Sequence, residues 1–270
     1  MTAMHRIPYV LLALFSMASL ESLAAEALGI VPARPVAGEP FVLVYNGEAR
    51  TPLNGYFNLQ STVTASGANL LLSTDVDAPI GVRAPCFGCE YTNRYQTFAS
   101  ATVVAPGTYA LSRSIRDKQG LLQEVVSNLV VDPPRAAATP QFRNLSGNYF
   151  AADENGAGVN VIQSADGQLF VVWATYGSGP YVQNSNYSPD VEATWLVISN
   201  GKWISPTEFQ GVMYTTIGGP YASPWDASKF YASPFGVMNL RFTDRNLVDM
   251  DAQFAYNGAR KQKRLSRLPF

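Results

Sequence analysis

The chain has 270 residues, of which only 14% are charged, and its formal net charge is −1. This balance leaves no excess of basic residues to attract nucleic acid through counterion release, so we expect no nucleic-acid partner. The only histidine is His5, which excludes Ser-His-Asp and Cys-His catalysis and imidazole metal sites from the rest of the chain. We therefore expect neither a cofactor nor a metal site.

The N-terminus has the composition of a secretory signal peptide. Arg6 precedes an apolar run at positions 7–17, and small residues follow at 22–27. This order predicts a signal peptide over residues 1–25 and a periplasmic or secreted protein; a buried N-terminal helix is the alternative. The apolar run is shorter than the roughly 20 residues that span a bilayer, and no later stretch reaches that length. We expect no transmembrane segment in the mature chain.

Residues 28–132 carry short apolar runs separated by turn residues, and no long amphipathic helix follows residue 28. The pattern predicts an all-β chain whose first domain is an immunoglobulin-like sandwich. Tyr109 follows a Pro-Gly turn and could hydrogen-bond back to its backbone, as in a tyrosine corner. The turn at 36–41 leads into a buried strand. The six predicted strands are 41–45, 61–64, 69–73, 98–104, 107–113 and 124–131.

Cys86 and Cys89 are separated by only two residues. In an exported protein this spacing predicts a local disulfide across a tight loop. The alternative, a redox-active pair, belongs to a helix N-terminus in a βαβ unit, whereas this pair lies between strand-like segments. Glu90 follows Cys89, which excludes c-type haem attachment.

Prolines at 133, 134 and 140 mark a linker over residues 133–143, because proline cannot continue a central strand. Residues 144–270 then show eight strand patterns, several of them joined by tight turns such as Asn200-Gly201. Eight sequential strands joined mostly by hairpins predict an antiparallel meander, closed or nearly closed as a barrel. The predicted strands are 147–151, 159–163, 168–176, 193–199, 208–216, 236–242, 247–256 and 261–268.

Several motifs of the second block resemble those of an exported proteobacterial family of unknown function. They are the segments at 145–149, 156–161, 167–176, 194–199 and 267–270. In that family an immunoglobulin-like domain is followed by a Trp/Tyr-rich β-meander module. The resemblance implies this two-domain order and a Gram-negative source, but no activity and no functional residue. The chain departs from the family where Tyr149 replaces a tryptophan and where 177–193 replaces a short turn.

Two long loops, 177–190 and 218–231, are rich in aromatic and small polar residues. Tyrosine and tryptophan offer rigid apolar area with a polar tip, and loops at a barrel mouth bind ligands in small barrels. We expect a ligand-binding rim for a carbohydrate, a peptide or an envelope component. The alternative is that these aromatics only anchor their loops. The candidate residues are Tyr181, Tyr187, Tyr221 and Trp225.

The sequence therefore predicts a non-catalytic binding or adhesion protein of the bacterial envelope. One alternative is a carboxylate-based hydrolase of polysaccharide, which needs two facing acids. Another is a structural or secretion-associated envelope subunit. The acids that a hydrolase could use are Asp153, Glu154, Asp190, Glu192 and Asp226. A basic cluster at 260–267 could bind lipopolysaccharide or another polyanion, but we favour the alternative that charge here protects an edge strand or an outward strand face.

Overall fold

The computed structural model describes residues 27–51, 59–76, 91–117, 120–136, 138–177, 192–218, 224–255 and 258–269. The chain is all-β in these ranges, apart from one short 3-10 turn at Ala227–Lys229. The strands of the first block are β1 (Ala27–Val31), β2 (Pro40–Thr51), β3 (Leu59–Ser66), β4 (Asn69–Val76), β5 (Tyr91–Thr102), β6 (Gly107–Asp117) and β7 (Gly120–Val131). Those of the second block are β8 (Gly147–Phe150), β9 (Gly158–Gln163), β10 (Leu169–Gly177), β11 (Glu192–Ile198), β12 (Lys202–Trp203), β13 (Glu208–Ile217), β14 (Tyr231–Phe242), β15 (Leu247–Phe254) and β16 (Arg260–Arg267).

The first block contains two sheets, ordered β1-β2-β5 and β3-β4-β6-β7. All six strands predicted for this block are present, and β1 is an additional one. Phe41 and Leu43 from one sheet share a hydrophobic core with Leu111 and Leu129 from the other. The pairing between β4 and β6 is parallel, whereas the other pairings in these two sheets are antiparallel.

Two local predictions for this block are confirmed. The Tyr109 hydroxyl donates a hydrogen bond to the carbonyl oxygen of Ala105, 2.8 Å away, on the turn that precedes β6. The Tyr109 ring is buried in the shared core. The segment before Phe41 forms a turn, and the Phe41 side chain is buried. These contacts fix the β5–β6 turn and the start of β2 against the core.

The second block is a closed, eight-stranded antiparallel barrel, so the predicted meander and all eight of its strands are confirmed. Neighbours around the ring follow the order β8, β9, β10, β11, β13, β14, β15 and β16, and β16 pairs with β8. The ring closes on its other side through the pairing of Val197 on β11 with Tyr214 on β13. The two-residue β12 pairs beside β13 outside this ring.

Side chains fill the interior of the barrel. Period-two alternation along each strand turns one set of residues inward, and these residues form one continuous buried core. It contains Trp173 and Trp203, which are 3% and 7% exposed. Trp173 is therefore core packing rather than the floor of a hollow binding cavity. The core includes Leu145, Tyr149, Val161, Val171, Trp173, Leu196, Trp203, Phe209, Met238, Leu240, Phe242, Met250 and Leu265.

The two blocks pack against each other along an apolar seam. The outward face of the β1-β2-β5 sheet contributes Val42, Val44 and Phe98, all buried. The outer wall of the barrel contributes Val212 and Val237. Since Phe41 and Leu43 point toward the other sheet, β2 is covered on both faces. The two blocks thus share a continuous hydrophobic contact.

Candidate functional site

The candidate site lies at one end of the barrel, here called the upper mouth, where β8, β10, β13 and β15 finish. Because neighbouring strands of the ring are antiparallel, each of these strands ends, and the next strand of the ring begins, at this end. Four connections link these pairs of strands. They span residues 151–157, 178–191, 218–230 and 255–259. Both aromatic-rich loops predicted from the sequence therefore start and end at the upper mouth.

Of the four predicted rim residues, Trp225 lies within the described part of the chain. Its side chain is 72% exposed. The ring packs against Phe230, with centroids 5.6 Å apart and planes tilted by 47°. In the segment that joins these two residues, Asp226 and Lys229 form an ion pair at 3.4 Å. Trp225 is therefore held by its neighbours while most of its surface faces solvent. Tyr181, Tyr187 and Tyr221 lie outside the described residues.

Aromatic side chains pack together as a floor beneath the upper mouth. Trp173 stacks on Phe254, with centroids 6.1 Å apart and an interplanar angle of 26°. Phe235 meets the edge of Phe254 at 5.7 Å. The ammonium of Lys261 lies 5.4 Å above the Trp173 ring, a cation–π contact. A ligand at this mouth would therefore bind on the rim, above the floor.

Ion pairs at the edge of the mouth neutralise two of the predicted acids. Lys261 pairs with Glu154. Lys263 lies 2.9 Å from Asp153 and 3.7 Å from Glu154. The hydrogen bond from Lys263 holds the pKa of Asp153 below its ordinary value. Asp153 is thus a permanent carboxylate at neutral pH, which does not suit the proton donor of a glycosidase.

The other predicted acids belong to other loops and strands. Asp226 pairs with Lys229 in the loop that carries Trp225. Glu192 begins β11, and Asp190 lies outside the described ranges, as do Cys86 and Cys89. No group of three or more His, Cys, Asp or Glu side chains in the described part of the chain could hold a metal ion. Among the acids whose side chains the structure describes, Asp153 and Glu154 both approach Lys263, so the two acids that come together are held by a lysine.

The basic cluster of the last strand has its own acidic and backbone partners. β16 is paired on both sides, with β15 and β8, so it is not an edge strand. Its side chains alternate between the mouth, where Lys261 and Lys263 lie, and the outer wall. There Arg264 lies 2.7 Å from Asp249, and Arg260 pairs with Asp251. These pairs leave little uncompensated positive charge for a polyanion.

A shallow cleft of about 280 Å³ opens along the seam between the two blocks. Its lining polar groups already bond to each other. The Tyr214 hydroxyl donates to Ser100 at 3.1 Å, and the Lys202 ammonium donates to the Gly38 carbonyl oxygen. We therefore regard this cleft as part of the packing between the blocks, and the upper mouth as the better candidate site.

Comparison of the chain with protein-family models, with curated proteins and with solved structures gave no match. Within the described ranges, no helix is long and apolar enough to cross a membrane. The function is therefore inferred from the geometry of the upper mouth and from the sequence.

Proposed function

We propose that this protein is an exported, non-catalytic binding or adhesion protein of the bacterial envelope, with a carbohydrate or peptide ligand held on the rim of the upper mouth. The observation that carries this proposal is the exposed and braced ring of Trp225. Large apolar side chains cost free energy when they remain in water, so a largely exposed tryptophan fits a contact surface. Rigid aromatic rings are also the side chains that dominate binding energy at interfaces.

The chemistry of the mouth favours binding over catalysis. Buried side chains fill the described part of the barrel interior, and aromatic rings pack together beneath the mouth. Asp153 and Glu154 are held by lysines, and the chain after residue 5 has no histidine that could act as a base. Exposed aromatic faces with few free charges suit sugar rings and extended peptides, which bind by stacking and by a few hydrogen bonds.

Export and the immunoglobulin-like type of the first block are parts of the same proposal. The segment 1–25 and the resemblance to exported proteobacterial modules support export to the periplasm or beyond. The two packed sheets and the Tyr109–Ala105 hydrogen bond support the immunoglobulin-like type. The parallel pairing of β4 with β6 distinguishes the first block from a wholly antiparallel sandwich.

The proposal is tested by titrating the mature protein with glycans, peptidoglycan fragments and peptides while intrinsic tryptophan fluorescence is recorded. We expect a saturable change for one ligand class, weakened about 30-fold in Trp225→Ala, the size of an interfacial hot spot. Binding of the same ligand should also be weaker in Tyr181→Ala, Tyr187→Ala and Tyr221→Ala. The control is Val125→Ala, an exposed valine on β7 of the first block. Equal affinity in wild type and Trp225→Ala would refute ligand binding on the rim.

A further inference from the structure

The outer wall of the barrel carries an exposed apolar surface on β9, β10 and β11. We call the set Ile162, Phe170, Val172, Ala174, Trp195 and Val197 the apolar wall. Ile162 is 52%, Phe170 40% and Trp195 57% exposed. None of the outward positions on these three strands is charged. They are Gly158, Asn160, Ile162, Phe170, Val172, Ala174, Tyr176, Ala193, Trp195 and Val197.

Strand register makes the apolar wall continuous. Phe170 lies directly opposite Ile162, Val172 opposite Val197, and Ala174 opposite Trp195. Directly opposed side chains in an antiparallel pair are close enough to touch. The six residues therefore form one patch across three strands rather than separate exposed side chains, and such patches mark interaction sites.

The opposite side of the barrel has a different surface. β10 and β15 are four strands apart in either direction around the ring. The outer face at β15 carries Asp249 between Arg241 and Arg264, at 3.0 and 2.7 Å. Beside them, Asp251 pairs with Arg260. The lack of charge on the apolar wall is thus a local property of one side of the barrel.

The apolar wall continues into a surface that the chain itself already buries. Val197, at its edge, pairs with Tyr214 on β13. Tyr214 and Val212 belong to the seam that the β1-β2-β5 sheet covers. One part of a continuous apolar surface is therefore covered by a β-sheet face of the same chain, and another part is exposed. Depletion of charge and enrichment in aromatic residues are typical of the core of a protein interface.

We propose that the apolar wall is the contact surface of a homodimer, covered by the same wall of a second copy of the chain. A two-fold interface brings a surface against itself, which an uncharged surface permits without like-charge repulsion. The wall has polar side chains only at its margins: half-buried Asn160, whose amide already donates a hydrogen bond to Asn148, and exposed Tyr176. The centre is aliphatic and aromatic, which favours another apolar sheet face as the occupant.

Sedimentation equilibrium of the full mature protein over a hundredfold concentration range tests this proposal. We expect wild type to form a dimer, and Trp195→Lys and Phe170→Lys to weaken it about tenfold or more, because each places an ammonium group in the contact. Both side chains are exposed in the single chain, so at concentrations where wild type is monomeric the thermal transition of each variant should stay near that of wild type. Val125→Lys, with a valine 69% exposed on the first block, is the matched control and should dimerise normally.

Mixing Trp195→Lys with Trp195→Glu should restore dimers, because opposite charges then meet across the contact. Restoration would also show that both variants are folded. A wild type that is monomeric throughout the range overturns the proposal, as do Lys variants that dimerise like wild type. Binding of a monomeric wild type to uncharged lipid vesicles, lost in Trp195→Lys, would assign the wall to a lipid surface instead.

Discussion

The hydroxyl of Tyr214 on the barrel donates a hydrogen bond to the hydroxyl of Ser100 on β5, 3.1 Å away. The two residues are 114 positions apart and belong to different blocks of the chain. Beside them, Val212 and Val237 pack on Val42 and Val44. The proline-rich linker thus joins two blocks that bury apolar surface against each other, which couples their stabilities.

We predict that the two blocks of the wild-type chain unfold in a single transition. In Val212→Asp the two blocks should instead unfold separately. Val212 is 3% exposed in the seam, so an unpaired carboxylate there should cost more than about 3 kcal/mol. All four tryptophans lie in residues 144–270, so fluorescence reports the barrel, while far-UV circular dichroism reports both blocks. In urea the two signals should coincide for wild type and separate for Val212→Asp. Separate transitions in wild type would contradict the coupling.

The buried hydroxyl of Tyr149 is expected to stabilise the lower end of the barrel. It lies 2.8 Å from the carbonyl oxygen of Leu145 and 3.0 Å from that of Arg245. Tyr149→Phe leaves these carbonyls without this donor and should lower the free energy of unfolding by about 1–2 kcal/mol. The matched control is Tyr176→Phe. Because Tyr176 is 48% exposed, this substitution should leave the free energy of unfolding nearly unchanged. Equal urea midpoints for Tyr149→Phe and wild type would show that these bonds contribute nothing.

Acid should weaken the Asp249 contacts on the outer wall. The hydrogen bond from Arg264, assisted by Arg241, lowers the pKa of Asp249 below its ordinary value of 3.8. A carboxyl whose pKa is depressed by folding contributes stability above its unfolded pKa, and this is lost as pH falls through the folded pKa. Asp249→Asn should therefore lower the free energy of unfolding by about 1 kcal/mol at neutral pH. This difference from wild type should begin to shrink near pH 3.8 and vanish below the folded pKa. Urea midpoints measured from pH 7 to pH 2 should converge; parallel curves would exclude this role.

Under the proposed export, Cys86 and Cys89 should form a disulfide. A bridge that closes so small a loop should contribute about 2 kcal/mol by restricting the unfolded chain. Intact-mass measurement after alkylation without reduction should show no modified thiol, and reduction should lower the thermal transition. Double alkylation of the protein isolated from the envelope would mean that the pair is reduced there. The same spectrum reports the new N-terminus and so tests cleavage near residue 25.

Much of the barrel could be predicted because turn residues separate its short β-branched and aromatic runs, and because strands such as β9 and β15 alternate between buried and less buried positions. Val159 and Val161 point inward on β9 and Asn160 outward, as the period of two requires. Closure of the ring was harder to predict from the sequence, because β11 pairs with β13 across the inserted β12. A pairing between strands that are not adjacent in sequence leaves no turn signal.

The seam and the apolar wall could not be located from strand patterns alone. Residues 41–45 are continuously apolar, which indicates a strand covered on both faces, but not that the barrel covers the second face. Alternation likewise places Trp195 and Leu196 on opposite sides of β11 without showing which side is inside. The lysines 261 and 263 point inward because β16 begins at the mouth, where the core gives way to solvent.

The most direct test of the rim is fluorine NMR of protein labelled with 5-fluorotryptophan, in which each of the four tryptophans gives its own resonance. Trp225→Phe and Trp195→Phe assign the rim and wall signals, and buried Trp203 serves as the internal reference. If the rim binds, a ligand found by titration should shift the Trp225 resonance in proportion to occupancy and leave Trp203 unchanged. A ligand that saturates the protein without shifting Trp225 would contradict binding on the upper mouth.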